Sequence, residues 1–429
     1  MARFVTFGLG YRRMRWVIAG WLTLSTVLNN LDQQTLPVLA PFLRDRFNIS
    51  AHGYSNIVTT FLVSVTVMYT VGGVWVDRVG ERVGMAVCLL GLSISTALGG
   101  LARGVLSLGA TRFLLGAGVP VNYSAALRAC TRWFPEAERG LPIALFSSGT
   151  AIGSILGPPF IAALALSFGW KVAFFLPGLL GLLWLAFWLA IYRSPAEYPR
   201  ISAEELQSLH ADDARARNAE RPNWRSLLKN RNALGLVLAR LVSDPVWIFY
   251  LFWIPEYLRR ERGFSLTQIG LYAWIPYVGG AIGGIVGGRA SDHLIARGTS
   301  PAKARTRVLY ISAAMAPLGM LTNWVYSPAT VIVLAAIMAF VAFCWFINTA
   351  AIIPDLFSQK VVGSVLGFMG TAGTAGGVLF SVLIGYLLTH YSYTPIFMLA
   401  GTMHVAAALI LYSFLKQEAV PEPNAALAA

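Results

Sequence analysis

Twelve long, mostly apolar runs constrain this chain more than any other feature, because each is long enough to cross a lipid bilayer. A membrane helix needs roughly 20 such residues to span about 30 Å of hydrocarbon. The runs lie at approximately 16–40, 54–76, 83–102, 105–130, 141–167, 170–192, 232–258, 267–289, 306–324, 328–354, 362–389 and 394–415. Inside lipid each backbone N–H and C=O must find a partner in the protein, so segments of this length are expected to be helices. With only 12% charged residues and a mean hydropathy of +0.63, the composition lies outside the range of a water-soluble domain. The expected fold class is an all-α membrane protein with twelve transmembrane helices in two pseudo-symmetric six-helix bundles.

A net charge of +14 raises the question of nucleic acid, and the positions of the basic residues answer it. If the N-terminus is cytoplasmic, most of the Lys and Arg fall inside, among them Arg12, Arg13, Arg15, Arg78, Arg82, Arg139, the basic residues from Arg193 to Arg231, and Lys303, Arg305 and Arg307. Arg44, Arg46, Arg103, Lys171, Arg259, Arg260 and Arg262 fall outside, and Arg112, Arg128 and Arg240 lie within or at the edge of spans. This is the positive-inside bias of a multi-pass protein of the cell membrane with both termini cytoplasmic, and it needs no nucleic acid. Cys88, Cys130 and Cys344 have no paired spacing, so neither a disulfide framework nor a metal site is indicated. The first run is too long for a signal-peptide core and is read as a retained helix.

The polar stretch between Arg193 and Arg231 divides the runs six and six. The expected organisation is a bundle over 1–193, a cytosolic linker over 194–230 and a second bundle with its tail over 231–429. Ser202-Ala-Glu-Glu205 has the form of a capping box and predicts a short surface helix over 203–215. Gly140 and Gly153 in the fifth run have counterparts at the same spacing in Gly363 and Gly376 of the eleventh, which points to internal duplication. Gly149, Gly157, Gly373 and Gly377 add to the same stripes, which suit either sliding bundle interfaces or static close packing.

Between the second and third runs lies Gly73-x-x-x-Asp77-Arg78-x-Gly80-x-Arg82, echoed more weakly by Gly288-Arg-Ala-Ser-Asp292-His293. The first segment resembles the loop motif of the major facilitator superfamily. Leu31-Asp32-Gln33-Gln34-Thr35-Leu36, Arg112-Phe-Leu-Leu-Gly116-Ala-Gly118, Thr131-Arg-Trp-Phe-Pro135, Gly157-Pro-Pro159 and Asp244-Pro-Val-Trp247 extend the likeness over nearly the whole chain. Together they resemble the anion:cation symporters, especially the hexuronate transporters. The resemblance implies cotransport of a sugar acid, such as glucuronate or galacturonate, with protons by alternating access. Two departures stand out: Gln33 occupies a position where that family usually has Arg, and Val119 one where it usually has a membrane-embedded Glu.

An ionised side chain in the bilayer costs several kcal/mol, so Asp32, Arg112, Arg240 and Asp244 are expected to face a cavity or a partner. Asn29, Asp32 and Gln33 share one helix face, a polar stripe that lipid would reject. Asp32 is the candidate for proton coupling: burial favours its neutral form, Arg112 favours its charged form, and substrate arrival can decide between them. The alternative is a structural Asp32–Arg112 ion pair. Arg240 is a candidate to grip a carboxylate through its planar fork, or is neutralised by Asp244 four residues on. Trp247, Tyr250, Tyr69, Tyr277, Asn122 and Asn348 are further substrate-binding candidates, since aromatic faces and amides suit a sugar acid, although aromatics in spans also simply pack. His404, alone in the last run, is read as structural.

Asp77 belongs to a cytosolic turn where a carboxylate costs little. It is expected to meet the positive end of the eleventh helix near Val362 or to pair with Arg139, and so to latch the inner gate together with Arg78 and Arg82, with Asp292 repeating the device. The chain is thus expected to be a monomeric carrier of a small organic anion coupled to protons, without cofactor or metal. A monocarboxylate or aromatic-acid carrier, or an uncoupled facilitator because of Val119, is the alternative. A membrane enzyme would need a paired nucleophile and base or a metal cluster, a receptor a large soluble domain, and a channel pore-loop repeats; the sequence shows none of these.

Overall fold

In the computed structural model, residues 10–135, 138–198, 201–202, 205, 209, 229–357 and 359–415 are described. They form twelve helical segments: α1 Tyr11–Phe47, α2 Ala51–Val79, α3 Glu81–Gly99, α4 Val105–Trp133, α5 Gly140–Phe168, α6 Val172–Ile191, α7 Arg231–Arg262, α8 Leu266–Ala296, α9 Pro301–Met315, α10 Pro328–Leu356, α11 Gln359–His390 and α12 Thr394–Phe414. Ten of them are long and apolar enough to cross a membrane. The other two are α1, which carries charge at both ends, and α9, whose first turns hold Lys303, Arg305 and Arg307 and which continues as a 3-10 helix over Ala316–Asn323. Large side chains exposed along the helices, such as Val67, Val71 and Val74 on α2 or Leu379 and Val382 on α11, are those lipid would cover.

The helices fall into two units, residues 1–220 with 252–274 and residues 221–251 with 275–429. α7 begins at the expected start of the second half, Arg231, but runs across the division at 251/252, so that its last third packs in the first unit. The reason is local: Tyr54 Oη donates to the Phe252 carbonyl at 2.8 Å, Tyr54 and Trp253 meet edge to face, and Glu256 is ion-paired to Arg44.

Both units use the same pairing of helices, and small residues set it. In the first unit α5 lies on α1 so closely that a Cβ at Gly149 or Gly153 would strike the carbonyls of Thr23 and Val27. Gly116 of α4 meets the Phe61 carbonyl of α2, and Gly178 of α6 meets the Ser93 carbonyl of α3. In the second unit Gly376 of α11 rests on the Leu241 carbonyl of α7, Gly283 of α8 on Phe340 of α10, and Gly401 of α12 against Met320 after α9. The first, second and third helices of each unit thus pair with its fifth, fourth and sixth. Gly140 and Gly363 have nothing within 4 Å, so only the second member of each glycine pair noted in the sequence is a packing contact.

Gly80 ends α2 and begins α3 at φ +82°, a conformation that other residues adopt only with strain, which explains its place in the turn motif. Ser202 and Glu205 form the expected reciprocal bonds, at 3.1 and 3.2 Å, while the remainder of the helix expected over 203–215 lies outside the described residues. The three cysteines are free and buried.

Candidate functional site

Among the described residues, each unit encloses a cluster of the charged residues expected within its spans. In the first, the helical register of α1 turns Asn29 and Asp32 inward, and both are buried. Arg112 of α4 reaches the same depth, but its Nη1 donates to the Asp32 backbone carbonyl at 3.2 Å instead of pairing with the carboxylate. The guanidinium carbon lies 5.4 Å from the centroid of the Phe174 ring on α6, a cation–π contact that holds the group without consuming its N–H donors. Arg112 Nε and Nη2 and Asp32 Oδ1 are buried with no close hydrogen-bond partner among the described residues, Thr96 of α3 being the polar side chain beside the carboxyl group. A structural ion pair would have satisfied these atoms. The arrangement instead keeps a cation and an acid adjacent with bonding capacity unspent, a costly state that native proteins rarely keep without a use for it.

The neighbouring candidates divide between two environments. Gln33 is half-buried and donates from Nε2 to the Asn29 backbone and side-chain oxygens, each at 3.4 Å. Asn122 turns into the bundle, donating to Ser25 Oγ at 3.4 Å and approaching Met85 Sδ at 3.5 Å. Tyr69 lies on the exposed face of α2.

In the second unit Arg240 and Asp244, one turn apart on α7, form an ion pair in which Nε and Nη2 both meet Asp244 Oδ2 at 2.7 Å. Arg240 Nη1 lies 3.5 Å from Thr349 Oγ1, and the Phe346 ring packs under the guanidinium at 4.3 Å. Trp247 meets Tyr277 and Phe343 edge to face at 5.6 and 4.8 Å, forming an aromatic wall one turn further along α7. Tyr250 points elsewhere, packing with Phe249 and Phe397. Asn348 is buried and spends its amide on the Cys344 carbonyl. His404 is also buried, against Trp345.

The turn between α2 and α3 corrects one of the two contacts expected of Asp77, the pairing with Arg139. Asp77 pairs with Arg128 of α4 at 2.6 Å and not with Arg139, which caps its own turn by donating to the carbonyls of Phe134 and Thr131. Glu81 is the buried centre of this turn: Arg128 Nε donates to it at 3.1 Å and Tyr192 Oη at 3.0 Å, with Arg132 at 3.8 Å. Arg82 donates to the Leu189 carbonyl, and Arg78 is exposed. Asp292 is exposed as well and pairs with no described side chain; the second unit instead ties α9 to α10 through Arg305 and Asp355 at 2.5 Å, with the signs of charge exchanged relative to Glu81 and Arg128.

The family model described as the Major Facilitator Superfamily matches residues 22–348 and 301–428 of this sequence. The chain belongs to that superfamily. It is a membrane transporter and not an enzyme. Over 414 residues it is 27% identical to the hexuronate transporter of Escherichia coli (strain K12), covering 94% of this chain and 95% of that one. It is 32% identical over 278 residues to the galacturonate transporter of Dickeya chrysanthemi, covering 64% and 81%. Its fold matches that of a bacterial homolog of the human lysosomal transporter Spinster, solved in an inward-facing and unoccupied conformation, with a TM-score of 0.73 and 17% identity over 95% of this chain and 99% of that one.

Within this superfamily member, sequence reasoning missed three charged residues. Glu256 is wholly buried between Arg44 and Arg260, and Arg260 also reaches Asp45 at 3.3 Å. Arg44 and Glu256 sit near the ends of apolar runs, where charges read as loop residues. The available signal was the four-residue spacing of Glu256 and Arg260 on one helix face. Glu81 was hidden in the same way, as an unmarked position inside the turn motif.

Proposed function

We propose that this chain carries a sugar acid, a hexuronate in particular, together with protons across the cell membrane by alternating access. The observation that carries the reading is the likeness, over nearly its whole length, to a transporter named for hexuronates, combined with a buried arginine whose Nε and Nη2 donors are unspent. A guanidinium stays charged throughout a transport cycle and offers a carboxylate two parallel N–H donors. Arg112 is the anion-binding group of the first unit, with Asn29 and Gln33 as hydroxyl partners one turn away. Asp32, beside it with one oxygen unpartnered, carries a proton. The excess of Lys and Arg in alternate loops orients the chain with both termini in the cytoplasm.

Binding of glucuronate to the purified protein, measured by calorimetry, tests this. A charge-assisted hydrogen bond is worth about 1.5–3 kcal/mol, so Arg112→Gln is expected to weaken binding by roughly 10- to 150-fold, while glucose, lacking the carboxylate, binds neither form. Equal affinity in Arg112→Gln would remove Arg112 from the site. In vesicles, Asp32→Asn is expected to lower proton-driven accumulation; unchanged accumulation would end its role.

A further inference from the structure

Arg240 and Asp244 repay a closer comparison with the first unit. Gly153 rests on the Val27 carbonyl and Gly376 on the Leu241 carbonyl, so the two glycine contacts put α1 and α7 in register. In that register Thr26 corresponds to Arg240 and Asn30 to Asp244. The first-unit pair is neutral and is satisfied locally, Asn30 Nδ2 donating to the Thr26 carbonyl at 2.9 Å. The helix pairing common to both units therefore does not require charge at these two positions. Yet the second unit places a full ion pair there, inside a membrane span, where charge is expensive.

We propose that Asp244 is a second proton carrier of the transport cycle, and that its protonation releases Arg240 to hold the carboxylate of the transported anion. This rests on the sugar-acid reading above. Three features of the pair fit it to the task. First, the guanidinium is held by more than Asp244: the Phe346 ring lies beneath it and Thr349 faces Nη1, so it keeps its place when the acid is neutral. Second, among the described residues Arg240 is the charged group acting on Asp244; α11 presents Gly373 to the carboxylate, α10 presents Thr349 and Phe346 to the guanidinium, and the Ser243 hydroxyl lies 3.4 Å from Oδ1. Among the described residues no second cation acts on the acid. Third, the Asp244 side chain is 19% exposed while that of Arg240 is 7% exposed, so a proton can reach the acid while the cation stays shielded.

The step balances. A proton adds to the Asp244 carboxylate and the two N–H bonds to Oδ2 open. The anion's carboxylate accepts the same two N–H donors, and the sugar ring lies toward the aromatic wall that begins at Trp247. On the far side the anion leaves, Asp244 gives up its proton, and the ion pair closes again.

The test uses the full-length protein with glucuronate as probe and measures affinity across pH 5.5–8.5. Each coupled proton can steepen the dependence by at most about tenfold per pH unit. Wild type is expected to bind more tightly as pH falls, and Asp244→Asn to show a slope smaller by about one proton. The same slope in both proteins would overturn the proposal. The double variant Arg240→Gln/Asp244→Asn recreates the neutral character of the first-unit pair and is expected to fold and to bind glucuronate at least tenfold more weakly; wild-type affinity in it would overturn the proposal even if Asp244→Asn cannot be purified. Wild type that binds no sugar acid overturns both readings, whereas binding with an unchanged Asp244→Asn slope overturns this one alone.

Discussion

Replacing Glu256 by Gln is expected to destabilise the protein by about 3–5 kcal/mol, the cost of stranding the partner of a buried ion pair. Glu256 is wholly buried and serves Arg44, itself only 6% exposed, so removing the negative charge leaves a cation with little access to water. Arg44 also donates to the Ile49 carbonyl at 3.0 Å, which fixes the guanidinium and prevents it from turning outward. Arg260 loses a partner too, but it is more exposed and keeps Asp45 within reach. Thermal unfolding of the purified protein in detergent measures the effect. The double variant Arg44→Met/Glu256→Leu is expected to recover most of the loss, because well-packed apolar residues replace buried ion pairs at little net cost. A Glu256→Gln protein as stable as wild type would show that the pair does not hold the end of α7 in the first unit.

The second large effect concerns the glycine stripes. Gly376→Ala is expected to cost about 1–3 kcal/mol, since the added methyl meets the backbone carbonyl of Leu241, which cannot rotate aside, and α11 must withdraw from α7. Gly363→Ala, on the same helix with nothing within 4 Å, is expected to stabilise by up to about 1 kcal/mol through helix propensity. The two changes are chemically identical, so their difference isolates close packing from propensity. Equal effects in thermal unfolding would rule out Gly376 as the contact that sets the α7–α11 distance.

These two cases also mark what was legible in the sequence. Spans, their division into two sets of six and the glycine spacing are local or repeated patterns, and hydropathy reads them well. The ends of the helices were less legible: α1 runs to Phe47, past the apolar run ending near 40, because the helix continues through Arg44-Asp45-Arg46 as a charged flank whose first member is buried. Glu256 and Arg44 lie 212 residues apart, and nothing local distinguishes a charge buried by such a partner from one in a loop. For the same reason Asp77 was expected at the start of the eleventh helix near Val362 or beside Arg139, whereas its ion-pair partner is Arg128, placed within or at the edge of a span. At the candidate site the residue types on α1, α4 and α7 were legible, since charge in a membrane span is conspicuous. Their pairing was not: the alternatives left open for Asp32 with Arg112 and for Arg240 with Asp244 looked alike in sequence, yet only the second pair forms a direct ion pair.

Uptake of labelled glucuronate by vesicles containing the wild-type protein, with and without an inward acid gradient, addresses the central claim most directly. Accumulation above the external concentration under the gradient, abolished by a protonophore, is the expected result. Glucuronate that fails to enter, or that only equilibrates whether or not the gradient is present, would contradict a proton-coupled carrier of sugar acids.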